Sequence, residues 1–222
     1  MSRLRLTHPH GDPEAGRFEG AVLVLHGGRA DALEPPPTPN WPGIRMAPFA
    51  RAVRRATAPH PIATGHVTYR HRGWNGDRAD PVLDAHHALE ELGERLGPVP
   101  VVLLGHSLGG RAALHAAAHP RVTGVVALAP WCPPTDPVEQ LAGRRVIVLH
   151  GDHDKVTDPD LSRALVDRAV AHGVDARFLL LPGRGHTMLR YARDWHALAT
   201  GGVSALLGLS PLPRQLETSA EA

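Results

Sequence analysis

Short apolar runs alternate with amphipathic stretches from residue 20 to residue 208. Ala21-Val22-Leu23-Val24-Leu25 is too short and too continuously apolar for a surface helix, and reads as a buried strand ending in His26-Gly27-Gly28. The pattern then predicts a helix over 46–57 and a strand from Ile62 to Tyr69 that ends in Arg70-His71-Arg72-Gly73-Trp74. A helix follows over 81–96, where Val82, Leu83, Leu89, Leu92 and Leu96 recur near the helical period. Val99 to Leu104 reads as a strand, 108–118 as an Ala-rich helix stopped before Pro120, and Val122 to Leu128 and Arg145 to Leu149 as two further strands. Residues 159–172 are helical by pattern, Ala176 to Leu181 is a strand, and 189–207 is a closing helix.

Continuous apolar strands separated by helices imply a mainly parallel sheet covered on both faces, a three-layer α/β/α architecture. Right-handed crossovers put the strand C-termini on one edge, where the sites of such folds gather. His26-Gly27-Gly28, Trp74, Ser107, Trp131, Asp154 and His186 all fall at or just after a strand end. Two segments break the alternation. Residues 29–43 hold Pro35, Pro36, Pro37, Pro39 and Pro42 and read as an irregular loop near that edge; residues 130–143 hold Pro130, Pro133, Pro134 and Pro137 and join two strands without a clear helix. The last dozen residues, 211–222, are polar and are expected to fray.

Composition narrows the class. The 222 residues suit one domain, 1–222, and 42% hydrophobic with 21% charged residues is the ordinary globular range. No apolar run reaches the roughly 18–20 residues of a membrane span, and Met1 to Leu6 lacks the apolar core of a signal peptide, so a cytoplasmic location is expected. Cys132 is the single cysteine, which leaves no internal disulfide and no thiolate zinc cluster. The net charge of +2 comes with Lys155 as the only lysine, so the arginine content reads as a composition bias. A nucleic-acid surface would show a concentrated basic stripe, and only Arg51, Arg54 and Arg55 approach one.

The chemistry concentrates in Gly105-His106-Ser107-Leu108-Gly109-Gly110, a G-x-S-x-G pattern that leaves a buried strand and opens a helix. Such a turn lifts the serine Oγ clear of the backbone at the positive end of a helix. Ser107 is thus the candidate nucleophile. A serine hydroxyl needs a base. Among 16 histidines, His186 in Pro182-Gly183-Arg184-Gly185-His186 follows the last strand, with glycines that let the turn aim an imidazole back over the sheet; the rival His106 flanks the nucleophile and points away. The base needs a carboxylate to orient it. His150-Gly151-Asp152-His153-Asp154 follows the preceding strand and offers Asp154, with Asp152 and Asp158 as alternatives. Backbone N–H groups of Leu108 and of Gly28, or else Arg29, are the candidate oxyanion donors.

These motifs resemble the α/β-hydrolase fold, and more narrowly its small capless serine hydrolases of the esterase and dienelactone-hydrolase kind. The resemblance covers about residues 20–208 and rests on Leu25-His26-Gly27-Gly28, the Gly105–Gly110 turn, Gly151-Asp152-His153-Asp154 and Gly185-His186, in the order Ser, Asp, His. It implies Ser107 as nucleophile, His186 as base, Asp154 as its orienter, and Gly28 and Leu108 as oxyanion donors. It also implies a small-molecule ester as substrate, cleaved with no cofactor and no metal. Many relatives carry a helical cap at the position of residues 130–143, which are too few to form one. Without a cap the pocket must be walled by loops. Arg29, Trp74, Trp131, Cys132 and Met188 are candidate wall residues, and the 29–43 loop with Trp41 is a candidate cover; the alternative is that these side chains pack beneath loops. Arg29, Arg72 and Arg184 on the same edge would favour an acidic substrate. His115 and His119 are spaced i, i+4 like two metal ligands, but lack a third, and read as packing residues. The same triad would serve a thioesterase or an acyltransferase, and a ligand-binding protein with little turnover is the alternative from another class.

Overall fold

The structure, a computed structural model, describes residues 3–7 and 18–217. In chain order its elements are β1 (Leu4–Thr7), β2 (Gly20–Leu25), α1 (Trp41–Ala56), β3 (Ile62–Val67), α2 (Asp80–Leu96), β4 (Val101–His106), α3 (Leu108–Ala116), β5 (Val122–Leu128), β6 (Arg145–Gly151), α4 (Pro159–Ala171), β7 (Asp175–Leu181), α5 (Ala192–Leu206) and α6 (Arg214–Glu217). The strands form one sheet in the order β1-β3-β2-β4-β5-β6-β7. Every pairing is parallel except that of β1 with β3.

Alternation along the strands divides the core in two. Ala21, Leu23, Leu25, Val101, Leu103, Val125 and Ala127 face the side covered by α2, α3 and α4. Val22, Val24, Val102, Leu104, Val126 and Leu128 face the side covered by α1 and α5. Because both faces are buried, these strands carry no polar alternation, which is why they read as continuous apolar runs. The chain runs from β2 outward to β3 and then crosses back to β4 on the other side of β2. The reversal opens a crevice at the C-terminal ends of β2 and β4, the place where such sheets bind ligands.

Three sequence expectations are corrected. Strand β1 escaped the pattern because four residues give only two alternations; Leu4 is buried beneath the sheet edge and Arg5 is exposed. Helix α1 begins at Trp41, inside the segment read as a proline-rich loop. Asn40 caps it by accepting from the Gly43 N–H at 3.3 Å, and Pro42 sits in the first turn, where a missing N–H costs nothing. The tail expected to fray contains α6, and Leu216 is fully buried with the α5 side of the core. Residues 218–222 of that tail, and Met1 and Ser2 at the other end, lie outside the described residues. Between β5 and β6 there is a single 3-10 turn, Glu139–Leu141, so no cap is inserted there.

Candidate active site

Ser107 sits between β4 and α3 with φ 56° and ψ −122°, a conformation L residues rarely adopt. The turn closes only because its neighbours are glycines. A Cβ on Gly105 would lie 2.2 Å from the Gly109 carbonyl oxygen, and one on Gly109 would lie 2.5 Å from the carbonyl oxygens of Leu25 and His26. Strand, turn and helix are therefore pressed together with backbone against backbone. The Ser107 hydroxyl is left facing the sheet edge.

The structure brings Ser107, His186 and Asp154 into one hydrogen-bonded chain. The Ser107 Oγ lies 3.1 Å from His186 Nε2, and His186 Nδ1 lies 2.8 Å from Asp154 Oδ2. The Asp154 side chain is fully buried. It accepts from the backbone N–H groups of Val156 at 2.8 Å and Thr157 at 3.0 Å, and from the Thr157 hydroxyl at 3.0 Å. Burial pushes its carboxyl upward, but donors from His150, His186, Thr157 and Val156 outweigh that and hold it well below the ordinary carboxylate range. Asp154 thus stays ionised beside His186 and fixes the proton on Nδ1, which leaves Nε2 to accept the serine proton.

The two rival carboxylates have other partners. Asp152 accepts from the Gly183 N–H at 2.6 Å and so ties the loop after β6 to the loop that carries His186. Asp158 caps α4, accepting from Asp160 N–H at 2.8 Å. His106 is buried, stacks 4.8 Å from His186, and donates from Nε2 to the His186 carbonyl at 3.0 Å. Burial and the neighbouring His186 push its imidazole down to about 3, so it is a neutral prop for the His186 loop.

The two oxyanion candidates are also adjacent. The Leu108 N–H lies in the first turn of α3, where helices leave backbone donors unpaired. The Leu108 methyls pack 3.3 Å from the site of a Gly28 Cβ. The Arg29 N–H donates to the Arg72 carbonyl at 2.9 Å, so it is not available. Gly28 is exposed and its N–H meets no acceptor among the described residues. A side chain on Gly28 would strike the Arg72 carbonyl oxygen at 2.3 Å, so the close approach of these two loops requires glycine.

Of the expected wall residues, Trp74 and Trp131 line a cleft of about 600 Å³ with Ala30, Asp31, Asp77 and Arg111. The Trp131 N–H donates to the Ser107 carbonyl at 3.2 Å, which ties this wall to the nucleophile turn. Met188 is a correction: it is buried with Phe49 and Trp195 in the core beneath α1 and α5. Cys132 is buried, and burial pushes its thiol up to about 12. Residues 29–34 run alongside residues 72–75 through five backbone hydrogen bonds, and Trp41 starts α1 largely on the surface. The arginine reading is also revised. Arg72 pairs with Glu34 and Arg184 with Asp194, so two of the three arginines are already neutralised. His115 and His119 part company: the first lies against Trp74 and Asp136, the second bonds Glu90 at 3.0 Å.

Sequence reading missed Arg111, the residue that builds the wall. Its guanidinium lies 3.7 Å from the Trp74 ring centre and 4.4 Å from that of Trp131, and it forms two hydrogen bonds to buried Asp136, at 2.6 and 2.8 Å. Its position one turn after Ser107 was the available signal. Burial pushes the Asp136 carboxyl up, while His115 and Arg111 outweigh it and hold it low. A carboxyl held low adds stability above its unfolded value, about 3.9, and that stability is lost as pH falls through the folded value. Arg111→Ala strands the Asp136 charge, so chemical denaturation should show a loss of about 3–5 kcal/mol at pH 7. The loss should shrink as the pH is lowered towards 3, where the stranded carboxyl takes up a proton.

A family model described as serine aminopeptidase, S33 matches residues 64–146, less than half of the chain. No curated protein matches the sequence. Solved structures are similar over nearly the whole chain at low identity. A serine hydrolase without lid from Xanthomonas campestris aligns with a TM-score of 0.65 at 18% identity, over 94% of this chain and 90% of that one. Esterase PE8 aligns at 0.65 and 20% identity, over 91% and 99%. A monoacylglycerol lipase from Paleococcus ferrophilus aligns at 0.61 and 18% identity, over 93% and 99%. Sheet order, the strained serine turn after β4 and these likenesses agree: the chain is an α/β-hydrolase-fold protein without a cap among its described residues.

Proposed function

We propose that the protein hydrolyses carboxylic esters of small or medium acyl groups through an acyl-enzyme on Ser107. The observation that carries this reading is the hydrogen-bonded chain Ser107 Oγ–His186 Nε2, His186 Nδ1–Asp154 Oδ2, set at a helix start beside two unpaired backbone N–H groups. In the first step His186 Nε2 takes the serine proton as Oγ attacks the ester carbonyl carbon. The carbonyl π electrons move to oxygen, which the N–H groups of Leu108 and Gly28 stabilise. Collapse of this tetrahedral species breaks the ester C–O bond, and His186 gives its proton to the departing alcohol. Water then attacks the acyl-serine with His186 again as base, releasing the carboxylic acid and the free hydroxyl. Asp154 remains ionised throughout and steadies the imidazolium.

The test is a panel of p-nitrophenyl esters from two to sixteen carbons. The reading expects steady turnover with kcat/KM highest among the short and medium chains, and a burst of p-nitrophenol where deacylation is slow. Absence of turnover on every chain length, with a fluorophosphonate probe failing to label the protein, would overturn it.

A further inference from the structure

A second imidazole lies beside Asp154, bonded to Thr157, which itself donates to the carboxylate. His150, at the end of β6, is fully buried, and its Nε2 lies 3.2 Å from Asp154 Oδ2, the same oxygen that accepts from His186. Its other nitrogen, Nδ1, lies 2.9 Å from the Ser162 hydroxyl on α4. The proton assignment follows from the pattern. Ser162 has a hydrogen to give, and its other acceptors, the Pro130 carbonyl at 3.5 Å and Cys132 Sγ at 3.7 Å, are distant. Donation from Ser162 to Nδ1 leaves the His150 proton on Nε2, between the Thr157 hydroxyl at 3.3 Å and the carboxylate at 3.2 Å. The reverse tautomer would set a lone pair against an ionised oxygen.

Resting on the ester-hydrolase reading above, we propose that His150 is a positioning residue for Asp154, and that it sets both the orientation and the basicity of the carboxylate that serves His186. Three groups converge on Oδ2: His186 Nδ1 at 2.8 Å and the Thr157 hydroxyl at 3.0 Å bond it, and His150 Nε2 stands 3.2 Å from it and 3.3 Å from the Thr157 hydroxyl. Each draws charge from the oxygen that supports the imidazolium formed during acylation. Losing the His150 donor frees the carboxylate to turn and makes it more basic, so it holds the proton on His186 more firmly. Activity on the acid side then falls away at a higher pH.

The groups facing this cluster come from four elements. His186 stands on the loop after β7, and His106 at the end of β4 stacks against it. Cys132 after β5 lies beyond Ser162 of α4, and Arg45 of α1 acts on His106. His106 is held neutral by burial and Cys132 is held as the thiol, so neither changes charge through the range assayed. The acid limb can therefore be compared between the variants with no contribution from either group.

The test compares wild type, His150→Leu and His150→Gln. Glutamine can place an N–H near the imidazole Nε2, and leucine cannot. For p-nitrophenyl acetate across pH 5–9, His150→Leu should lower kcat roughly ten- to a hundredfold, because a misplaced catalytic group costs about that much. Its KM should stay within about twofold, since no direct substrate contact is removed. Its acid limb should move up by about half a pH unit or more, and His150→Gln should restore both properties. A packing role alone would lower the melting temperature and leave the limb in place. A wild-type limb in His150→Leu, or a glutamine variant as impaired as leucine, would overturn the proposal. A second readout needs no turnover: the downfield proton resonance of His186 Nδ1–H, assigned by its loss in His186→Gln. It should shift in His150→Leu and return in His150→Gln; an unchanged resonance overturns the proposal. If wild type turns over no ester yet this resonance responds, the hydrolase reading fails and the role of His150 stands.

Discussion

Ser107→Ala should lower kcat/KM for p-nitrophenyl acetate by about 10⁴- to 10⁶-fold, the range seen when a triad nucleophile is deleted. The substitution removes one oxygen and leaves the Leu108 and Gly28 donors in place, so what remains is catalysis by those donors and by binding alone. Melting temperature should change little. Ser107 holds φ 56° with no side-chain cap bond to α3, and alanine fits the same space with the same backbone strain. Fluorophosphonate labelling, mapped to the peptide that contains Gly105–Gly110, should vanish with the substitution. Labelling that persists in Ser107→Ala would remove Ser107 as the nucleophile.

Asp154→Asn and Asp152→Asn should part widely. Asparagine at 154 turns one acceptor oxygen into an N–H donor where Asp154 receives donors at both oxygens. Whichever way the amide is placed, a donor meets a donor. If the amide nitrogen faces His186, it disfavours the tautomer that can accept the serine proton, a change worth about 10⁴-fold in kcat in such triads. If it turns away, it opposes the Val156 and Thr157 N–H groups and loosens the loop. The Asp152 contact needs only one acceptor, for the Gly183 N–H, and asparagine keeps it. Asp152→Asn should therefore stay within about threefold of wild type, the scale of a surface change that leaves its hydrogen bond intact. Paired pre-steady-state and steady-state assays on both variants decide the matter. Loss confined to Asp152→Asn would reassign the acid.

The carboxylate decision shows where sequence reading stopped. Asp152, Asp154 and Asp158 all follow β6 within eight residues, and spacing alone orders them without separating their roles. Only the fold reveals that Asp152 spans to Gly183, that Asp158 caps α4, and that the buried Asp154 meets His186. Gly28 was likewise the preferred oxyanion donor with Arg29 next, and the Arg29 N–H is bonded to Arg72. That partner lies 43 residues further on, and no local pattern encodes such a contact. Met188 follows His186 by two residues, and its turn into the core depends on where α1 and α5 pack.

What the sequence determined by itself was local and periodic. Apolar runs such as Ala21–Leu25 and Val101–Leu104 defined the buried strands, because burial on both faces leaves no polar positions. Gly105 and Gly109 marked the serine turn, because backbone pressed against backbone excludes a Cβ. The tertiary structure decided whatever depends on partners far apart in the chain. It gave each of the three carboxylates its partner and placed His150 beside Asp154. It also set Arg111 between Trp74 and Trp131 over Asp136. The physical reason is common to all three. A side chain's charge state and orientation are fixed by the donors, acceptors and rings around it, and those neighbours are assembled by the sheet rather than by adjacency in sequence.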